Sequence, residues 1–209
     1  MKILITDDHK LVRDGLKEIL KHIPEITAIE EASDGAEALA SVSATDFDLI
    51  LLDISLPDTT GLEVLQQIMN KKPSRKVLML SMYPQEQYAL RALKLGASGY
   101  LTKDTASEEL ITAINKITSG SIYISASLTE IIALHLDNNF SKPIHESLSE
   151  REFEIMLKIA TGKSLKDIGE ELFISGKTVS TYRSRIMEKM RMKKNAEITH
   201  YCLKNGLME

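Results

Sequence analysis

The sequence is poor in the features that mark secreted and membrane proteins. A single cysteine, Cys202, stands in 209 residues, so an internal disulfide is excluded. No apolar segment reaches the roughly 18 to 20 residues that a membrane-spanning helix requires. The N-terminal segment MKILITDDHK turns acidic after the length of one strand, unlike a secretory signal peptide. Together these absences predict a cytoplasmic protein with no membrane partner.

Motifs for several common ligands are also missing. No cysteine or histidine spacing fits a zinc site, and we interpret all five histidines, His9 included, as structural or surface residues. The segment TDDHKL, which follows the first apolar run, is acidic and free of glycine. A flavin or nucleotide would need a glycine-rich phosphate loop at that point, so this class of site is excluded.

Composition and charge indicate a globular chain with two dissimilar parts. Apolar residues make up 43% of the sequence and charged residues 27%, which is enough to build a core. Residues 1–140 carry a net charge of −7, and residues 141–209 a net charge of +3. Between Ser175 and Asn195 the net charge is +6, which suits a polyanionic partner.

The first 120 residues alternate short apolar runs with helix-period stretches. This alternation is typical of an α/β fold with a doubly wound parallel sheet. Mixed polarity in the second run predicts a strand near the edge, whereas the third and fourth runs are continuously apolar, as in central strands. The five predicted strands are residues 2–6, 27–32, 48–53, 76–81 and 99–103.

Polar side chains stand where these predicted strands end. Asp7 and Asp8 follow the first strand, Asp53 closes the third, Ser81 closes the fourth and Lys103 follows the fifth. In open parallel sheets, ligands bind outside the carboxyl ends of the strands. We therefore expect these side chains, from four separate strands, to converge on one edge of the sheet.

The expected cluster has the chemistry of phosphoryl transfer. Three carboxylates repel one another unless a divalent cation and a nearby lysine neutralise them, and oxygen ligands suit Mg²⁺ or Mn²⁺. A carboxylate beside such a cation, with a hydroxyl and an ammonium group nearby, can accept a phosphoryl group. The pattern therefore predicts Asp53 as the nucleophile.

The segments DDH, DISLPDTTG and GASGYLTKD resemble, in order and spacing, the receiver domain of bacterial two-component response regulators of the NarL/FixJ family. The resemblance implies a five-stranded, flavodoxin-like receiver fold. It further implies that Asp7 and Asp8 supply metal-site carboxylates, that Asp53 is the phosphoacceptor, and that the backbone carbonyl of Ser55 completes the metal site.

The same resemblance implies roles for residues of the last two strands. Ser81 and Lys103 would contact the phosphoryl oxygens, and Ser81 and Tyr100 would form a switch in which Tyr100 moves inward. Taken without the resemblance, Tyr100 is an ordinary half-buried aromatic residue. Met82 is bulkier than the small residue that many receivers carry after the serine.

The C-terminal part of the sequence predicts a small all-helical domain. The polar segment 137–147 contains Pro143 and is interpreted as a linker. Ser149 is a predicted N-cap with Glu152 as its capping-box partner. A short helix at about residues 164–172 precedes a second helix, 176–190, with a basic polar face, which is a helix-turn-helix pattern.

The segments LSEREFEI, IATGKS, KTVS and RIMEKM resemble the LuxR-type DNA-binding domain of the same family. At the positions corresponding to the family's base-reading residues stand Ser180, Thr181 and Ser184. The basic side chains of the same helix would contact the phosphate backbone, which supplies affinity rather than sequence choice. The implied DNA-binding residues are Lys177, Thr178, Ser180, Thr181, Arg183, Ser184, Arg185 and Lys189.

The prediction is therefore a response regulator that a sensor histidine kinase phosphorylates on Asp53 in a Mg²⁺-dependent reaction. It would act as a sequence-specific transcriptional regulator that binds double-stranded DNA as a homodimer. It is not an enzyme beyond its own phosphoryl transfer and dephosphorylation. The predicted domains are a receiver at 1–120, a connecting helix and linker at 121–147, and a helix-turn-helix domain at 148–209.

Two rival interpretations differ in strength. A phosphatase with an aspartate nucleophile would need a second aspartate two residues after Asp53, where Ser55 stands, so this class is disfavoured. The other alternative is a pseudo-receiver, a DNA-binding protein controlled by abundance or by protein partners. The sequence leaves that alternative open.

Overall fold

The computed structural model describes residues 1–137 and 143–208. The chain divides into two units, Met1–Ala133 and Leu134–Glu209. Strands and helices alternate through the first unit. They are β1 (Lys2–Thr6), α1 (Lys10–Leu20), β2 (Ala28–Ala32), α2 (Gly35–Ala44), β3 (Leu49–Asp53), α3 (Gly61–Lys71), β4 (Val77–Ser81), α4 (Gln85–Lys94), β5 (Gly99–Thr102), α5 (Lys103–Thr118) and α6 (Ala126–Asp137), which crosses the division between the units.

The sheet is parallel, with the strand order β2-β1-β3-β4-β5. Every residue of β3 and β4 is buried, as their continuous apolar runs predict. The mixed strand β2 lies at the edge of the sheet and has exposed residues, which confirms the prediction made from its polarity. The doubly wound α/β fold is thus confirmed.

Alternation along the strands builds the core of the first unit. Ile5 of β1, Leu51 of β3 and Leu80 of β4 lie in one buried cluster with Leu16 of α1 and Ile114 of α5. Burying apolar side chains of this size stabilises the fold by roughly 1.5–3 kcal/mol each. This packing fixes the strands whose ends carry the polar residues.

One predicted strand end differs from the structure. The fifth strand was expected to span 99–103, but β5 ends at Thr102 and Lys103 is the first residue of α5. Thr102 keeps an extended backbone, φ −78° and ψ 148°, at the N-cap position of the helix. The lysine is therefore held by a helix N-terminus, directly beside the end of the strand.

The second unit is helical among its described residues. A 3-10 turn, Ile144–Ser147, precedes α7 (Glu150–Ala160), α8 (Leu165–Glu171), α9 (Gly176–Met190) and α10 (Asn195–Lys204). The capping box between Ser149 and Glu152 is present, as predicted. Of the predicted linker 137–147, residues 138–142 lie outside the described residues.

The helix α9 has the two faces that its sequence predicts. Val179, Ile186 and Met190 are buried against the other helices of the unit, whereas Ser180 and Thr181 are exposed. Ser175 caps this helix, since its side chain accepts a hydrogen bond from the backbone N–H of Thr178 at 3.0 Å.

Candidate functional site

Polar side chains meet at the carboxyl edge of the sheet. Asp7 directly follows β1, and Asp53 and Ser81 are the last residues of β3 and β4; all three are buried. Oxygen atoms of Asp7, Asp8 and Asp53, with a ring nitrogen of His9, lie within 4.8 Å of one another. The edge thus gathers three carboxylates from two strand ends.

Lys103 brings the positive charge to this cluster. Its Nζ lies 2.6 Å from Oδ2 of Asp53 and 2.7 Å from Oδ2 of Asp7, and its side chain is 9% exposed. One ammonium group therefore bridges two buried carboxylates. Buried charges are stable only when paired in this way, so the bridge explains how Asp7 and Asp53 are tolerated at the edge of an apolar core.

Burial and neighbouring charge act in opposite directions on the groups of the pocket. Burial raises the pKa of Asp53 to about 6, an effect that the Lys103 ammonium opposes and the Asp7 carboxylate reinforces. Burial lowers the pKa of Lys103, but the two carboxylates outweigh it and leave the pKa above its usual range. The lysine therefore stays charged, and the pocket keeps an excess of negative charge.

That excess fits a divalent cation. Oδ2 of the buried Asp7 has no aligned hydrogen bond among the described residues, although it forms the ion pair with Lys103. Asp8, with its side chain 33% exposed, opens the cluster to solvent and offers a further oxygen ligand. Hard oxygen ligands are those that Mg²⁺ and Mn²⁺ accept. His9 lies at the rim, with Nδ1 2.7 Å from Oδ1 of Asp8.

The loop after Asp53 is fastened at both ends. Ser55 and Thr60 form an isolated β-bridge, and the N–H of Gly61 donates to the carbonyl of Ile54 at 2.7 Å. A Cβ at Gly61 would lie 1.9 Å from the carbonyl oxygen of Asp53, so only glycine fits there. The backbone around Ser55 is therefore held beside Asp53.

Two residues that the sequence reasoning missed support the pocket. The carboxylate of Asp58 accepts the N–H groups of Gly35 at 2.8 Å and Ala36 at 3.0 Å, which ties the loop to the N-terminus of α2. Nη1 of Arg13 donates to the carbonyl of Asp7 at 2.7 Å. Their partners lie far away in sequence or on the main chain, so no spacing in the sequence marks either residue.

The expected switch residues are connected through one backbone unit. The N–H of Tyr83 donates to Oγ of Ser81 at 2.9 Å, and the hydroxyl of Tyr100 donates to the carbonyl of Tyr83 at 3.0 Å. Tyr100 is fully buried, so the expectation of a half-buried ring is wrong, and the ring already occupies an inward position. Met82, between the two bonds, is 66% exposed.

The loop of Tyr83 leads into α4, which is hydrogen-bonded to the start of α6. Oε1 of Gln85, the first residue of α4, accepts the hydroxyl of Ser125 at 2.8 Å, and both residues are buried. Oγ of Ser125 also accepts the N–H of Leu128 at 3.2 Å. Sequence reasoning assigned no role to this pair, which is 40 residues apart.

The implied DNA-binding residues all lie on α9, but they differ in exposure and in the hydrogen bonds that their side chains already form. Lys177, Ser180, Thr181, Ser184 and Arg185 are exposed. Thr178, also exposed, bonds the hydroxyl of the Ser175 cap at 2.8 Å, and Arg183 donates from Nε to Oδ1 of Asn195 at 2.7 Å.

Lys189 is the residue whose surroundings differ most from its implied role. Its Nζ lies 2.6 Å from Oε2 of the buried Glu152, the capping-box residue of α7. The ion pair thus ties the C-terminal end of α9 to the start of α7. A phosphate contact by Lys189 would have to compete with that carboxylate.

Two further features bear on function. Of the helices in residues 1–137 and 143–208, none is long and apolar enough to cross a membrane. Burial raises the pKa of the Cys202 thiol to about 12, so it stays protonated and unreactive.

Comparison with known families agrees with this geometry. Residues 3–115 match the family "Response regulator receiver domain", and residues 146–202 match "Bacterial regulatory proteins, luxR family". A receiver joined to a LuxR-type domain defines a two-component response regulator with a DNA-binding domain.

Curated relatives match over the whole chain. The chain is 35% identical over 208 residues to the response regulator UvrY of Escherichia coli K12, covering 99% of this chain and 95% of that protein. It is 35% identical over 216 residues to the oxygen regulatory protein NreC of Staphylococcus carnosus, covering both chains fully at 100%. The chain belongs to the NarL/FixJ family of response regulators.

Solved structures share the fold. A LuxR-family two-component response regulator from Aurantimonas sp. SI85-9A1 has a TM-score of 0.61 and 31% identity, covering 65% of this chain and 97% of that chain. RcsB from Salmonella enterica serovar Typhimurium, bound to the promoter rprA, has a TM-score of 0.65 and 22% identity, covering 96% of this chain and 97% of that chain. At that identity the second likeness is evidence of fold alone.

Proposed function

We propose that a sensor histidine kinase phosphorylates this response regulator on Asp53, in a reaction that requires Mg²⁺ or Mn²⁺, and that phosphorylation controls sequence-specific DNA binding. The observation that carries the proposal is the bridge of Lys103 between Asp53 and Asp7 beside Asp8. A pocket with three carboxylates and one lysine suits a cation and a phosphoryl group better than any other ligand considered.

Each residue of the pocket has a proposed task. The carboxylates of Asp7, Asp8 and Asp53 and the carbonyl of Ser55 would hold a divalent cation, which would supply positive charge to the phosphoryl oxygens. An oxygen of Asp53 attacks phosphorus of a phosphohistidine; the P–N bond breaks, and its electron pair stays on the imidazole nitrogen. Lys103, already 2.6 Å from Asp53, stabilises charge on the transferred group.

The receiver acts on its own carboxylate, so the protein is proposed to be a regulator whose only catalysis is the gain and loss of its own phosphoryl group. Ser81 is proposed to turn its hydroxyl from the N–H of Tyr83 toward the phosphoryl oxygens. Because Tyr83 is also bonded to Tyr100, such a turn releases a constraint on the loop before α4. Phosphorylation would thereby change the conformation of the loop that carries Tyr83 and packs near Tyr100.

The hydrogen bond between Gln85 and Ser125 supports a path by which a change in the pocket could reach the second unit. It joins α4 to the N-terminus of α6, the helix that continues into the second unit. A shift of the loop that carries Tyr83 would therefore reach the helix that leads to the DNA-binding region. The hydrogen bonds of this path, from Tyr83 to Ser81 and from Ser125 to Gln85, lie within the first unit.

In the second unit, α9 is proposed to enter the major groove of double-stranded DNA. Its exposed Ser180, Thr181 and Ser184 would face base edges, and Lys177, Arg183 and Arg185 would contact phosphates. A homodimer is proposed because one helix-turn-helix reads a half-site. The division into a receiver at 1–120, a connection at 121–147 and a DNA-binding domain at 148–209, with a cytoplasmic location, completes the proposal.

Intact-mass spectrometry tests the proposed phosphorylation. The full chain is incubated with acetyl phosphate and Mg²⁺, beside Asp53→Asn and a sample with chelator. We expect one added phosphoryl group that requires both the metal and Asp53. Equal labelling of Asp53→Asn would contradict the site assignment. Absence of labelling by acetyl phosphate and by histidine kinases would favour the pseudo-receiver, with DNA binding retained.

A further inference from the structure

Phe173 lies in the turn between α8 and α9 and has an unfavourable backbone. Its φ is +52°, and among the described residues only Arg191 is a second non-glycine residue with positive φ. Phe173 as a whole residue is 74% exposed. A bulky side chain in a left-handed conformation and in water is costly on both counts.

The fold of the turn demands this backbone. The N–H of Ile174 donates to the carbonyl of Gly169 at 2.9 Å, and a Cβ at Gly169 would lie 2.7 Å from the carbonyl oxygen of Ile174. The chain therefore doubles back closely on α8 immediately after Leu172. Such a left-handed position after a helix is normally filled by glycine or asparagine.

Among the described residues of the second unit, none buries the side chain of Phe173 enough to offset the cost of its backbone conformation. Arg191, the other such residue, ends α9 and carries an exposed charged side chain that water stabilises. Phe173 has no such compensation, since its ring is mostly in solvent. A local cost that the domain itself does not recover points to a partner outside it.

The position of the ring indicates which partner. Phe173 stands two residues before Ser175, the N-cap of α9, and so lies at the end of α9 that carries the exposed Lys177 and Thr178. Helix-turn-helix proteins place this end of the second helix against DNA. The adjacent positive charge complements a duplex, and an aromatic ring makes apolar contacts with deoxyribose and thymine methyl groups.

We propose that Phe173 is a DNA-contact residue whose ring packs against the sugar and base edges of the duplex that α9 binds. The inference rests on the proposed DNA binding and deepens it. It adds an apolar contact, contributed by the turn, to a surface whose other implied contacts are polar or charged.

The variant Phe173→Gly separates the two effects, because glycine suits the turn and lacks the ring. The probe is a duplex that the phosphorylated full-length wild-type chain selects from a random-sequence library. We expect a higher melting temperature than wild type and roughly tenfold weaker binding, with the salt dependence of binding unchanged. Phe173→Leu, which keeps apolar bulk, should retain most of the affinity. Lys177→Ala should reduce the salt slope by about one.

The outcomes are distinguishable. Phe173→Gly binding as tightly as wild type would overturn the proposal, as would a weaker dimer in sedimentation that fully accounts for the lost affinity, because the ring would then contact a second copy of the chain. If the wild-type chain selects no duplex, the proposed DNA binding itself fails.

Discussion

The pocket at the sheet edge and the basic face of α9 use charge in opposite ways. Lys103 is 9% exposed and bound to two carboxylates at 2.6 and 2.7 Å, whereas Lys177 of α9 is exposed. Burial makes charges strong and fixes their geometry, which suits chemistry on one group. Exposure makes them weak, but leaves them available to a polyanion.

Lys189 lies between these extremes. Its side chain is 41% exposed, yet its Nζ is 2.6 Å from the buried Glu152. Its position on a basic helix predicts a phosphate contact, and its partner indicates a structural ion pair. The role of each charged residue therefore depends on the partner that it contacts, and not only on the region in which it lies.

Removing Lys103 is the strongest test of the difference between buried and exposed charges. Lys103→Ala leaves two buried carboxylates without a cation, so we expect a loss of about 3 kcal/mol in unfolding free energy with chelator present. Mg²⁺ should restore more stability to this variant than to wild type, since it takes over the neutralising role. Urea unfolding with and without Mg²⁺ measures both effects.

An exposed ion pair of the same length provides the control. Lys21 lies 2.6 Å from Glu18, with both side chains more than half exposed. Lys21→Ala should cost less than about 0.5 kcal/mol. Similar losses for Lys21→Ala and Lys103→Ala would show that burial does not set the strength of these pairs.

Replacing Gln85 by leucine tests a buried bond without charge. The variant removes the 2.8 Å acceptor of the buried Ser125 hydroxyl and leaves it only the longer contact with Oγ of Ser127 at 3.2 Å, so we expect about 1–2 kcal/mol lower stability. Phosphorylation of Asp53 should proceed as in wild type, while its effect on DNA binding decreases. Ser127→Ala, which removes an exposed hydroxyl 3.3 Å from Oε1 of Gln85, should change little. An undiminished response to phosphorylation in Gln85→Leu would contradict the route through α6.

Truncating two cations of α9, the exposed Lys177 and the half-buried Arg183, should weaken DNA binding. We expect Lys177→Ala and Arg183→Ala each to weaken binding about fivefold and to lower the salt slope by about one, because each contact releases counterions. Phosphoryl capture should not change. Lys204→Ala on α10 makes the same charge change as Lys177→Ala, so equal losses in the two would show that only net charge matters.

The smallest expected effect belongs to Lys189. We expect Lys189→Ala to lower the stability of the chain by less than about 1 kcal/mol, since solvent screens the pair, and to weaken DNA binding less than Lys177→Ala does. Burial raises the pKa of Glu152, but the Lys189 ammonium and the Ser149 N–H outweigh it and leave the pKa below 4.5. The stabilisation is therefore present above pH 4.5 and is lost as the pH falls through the lowered pKa. Thermal unfolding of wild type and variant at pH 7 and below pH 4 checks both statements.

The sequence was most informative about the burial of strand residues and the positions of strand ends. Continuous apolar runs identified β3 and β4, mixed polarity placed β2 at the edge, and strand ends predicted where Asp53 and Lys103 would lie. These predictions succeed because periodicity records burial, and parallel strands end at one edge.

Contacts between distant segments were beyond this reasoning. Neither the bonds from the N-terminus of α2 to Asp58 nor the bond between Gln85 and Ser125 leaves a periodic signal, because each depends on how two elements pack. The partner of Lys189 was missed for the same reason. A helical face predicts that a side chain is outward, but not which carboxylate it meets.

The most direct test of the account is DNA affinity as a function of phosphorylation. Fluorescence anisotropy would compare binding of the selected duplex by wild type and Asp53→Asn, each in Mg²⁺ with and without acetyl phosphate. The account predicts that the phosphoryl donor strengthens binding by wild type about tenfold or more, by analogy with typical coupling free energies, and leaves Asp53→Asn unchanged. Equal affinity in all four samples, with wild type shown by mass to be phosphorylated, would contradict it.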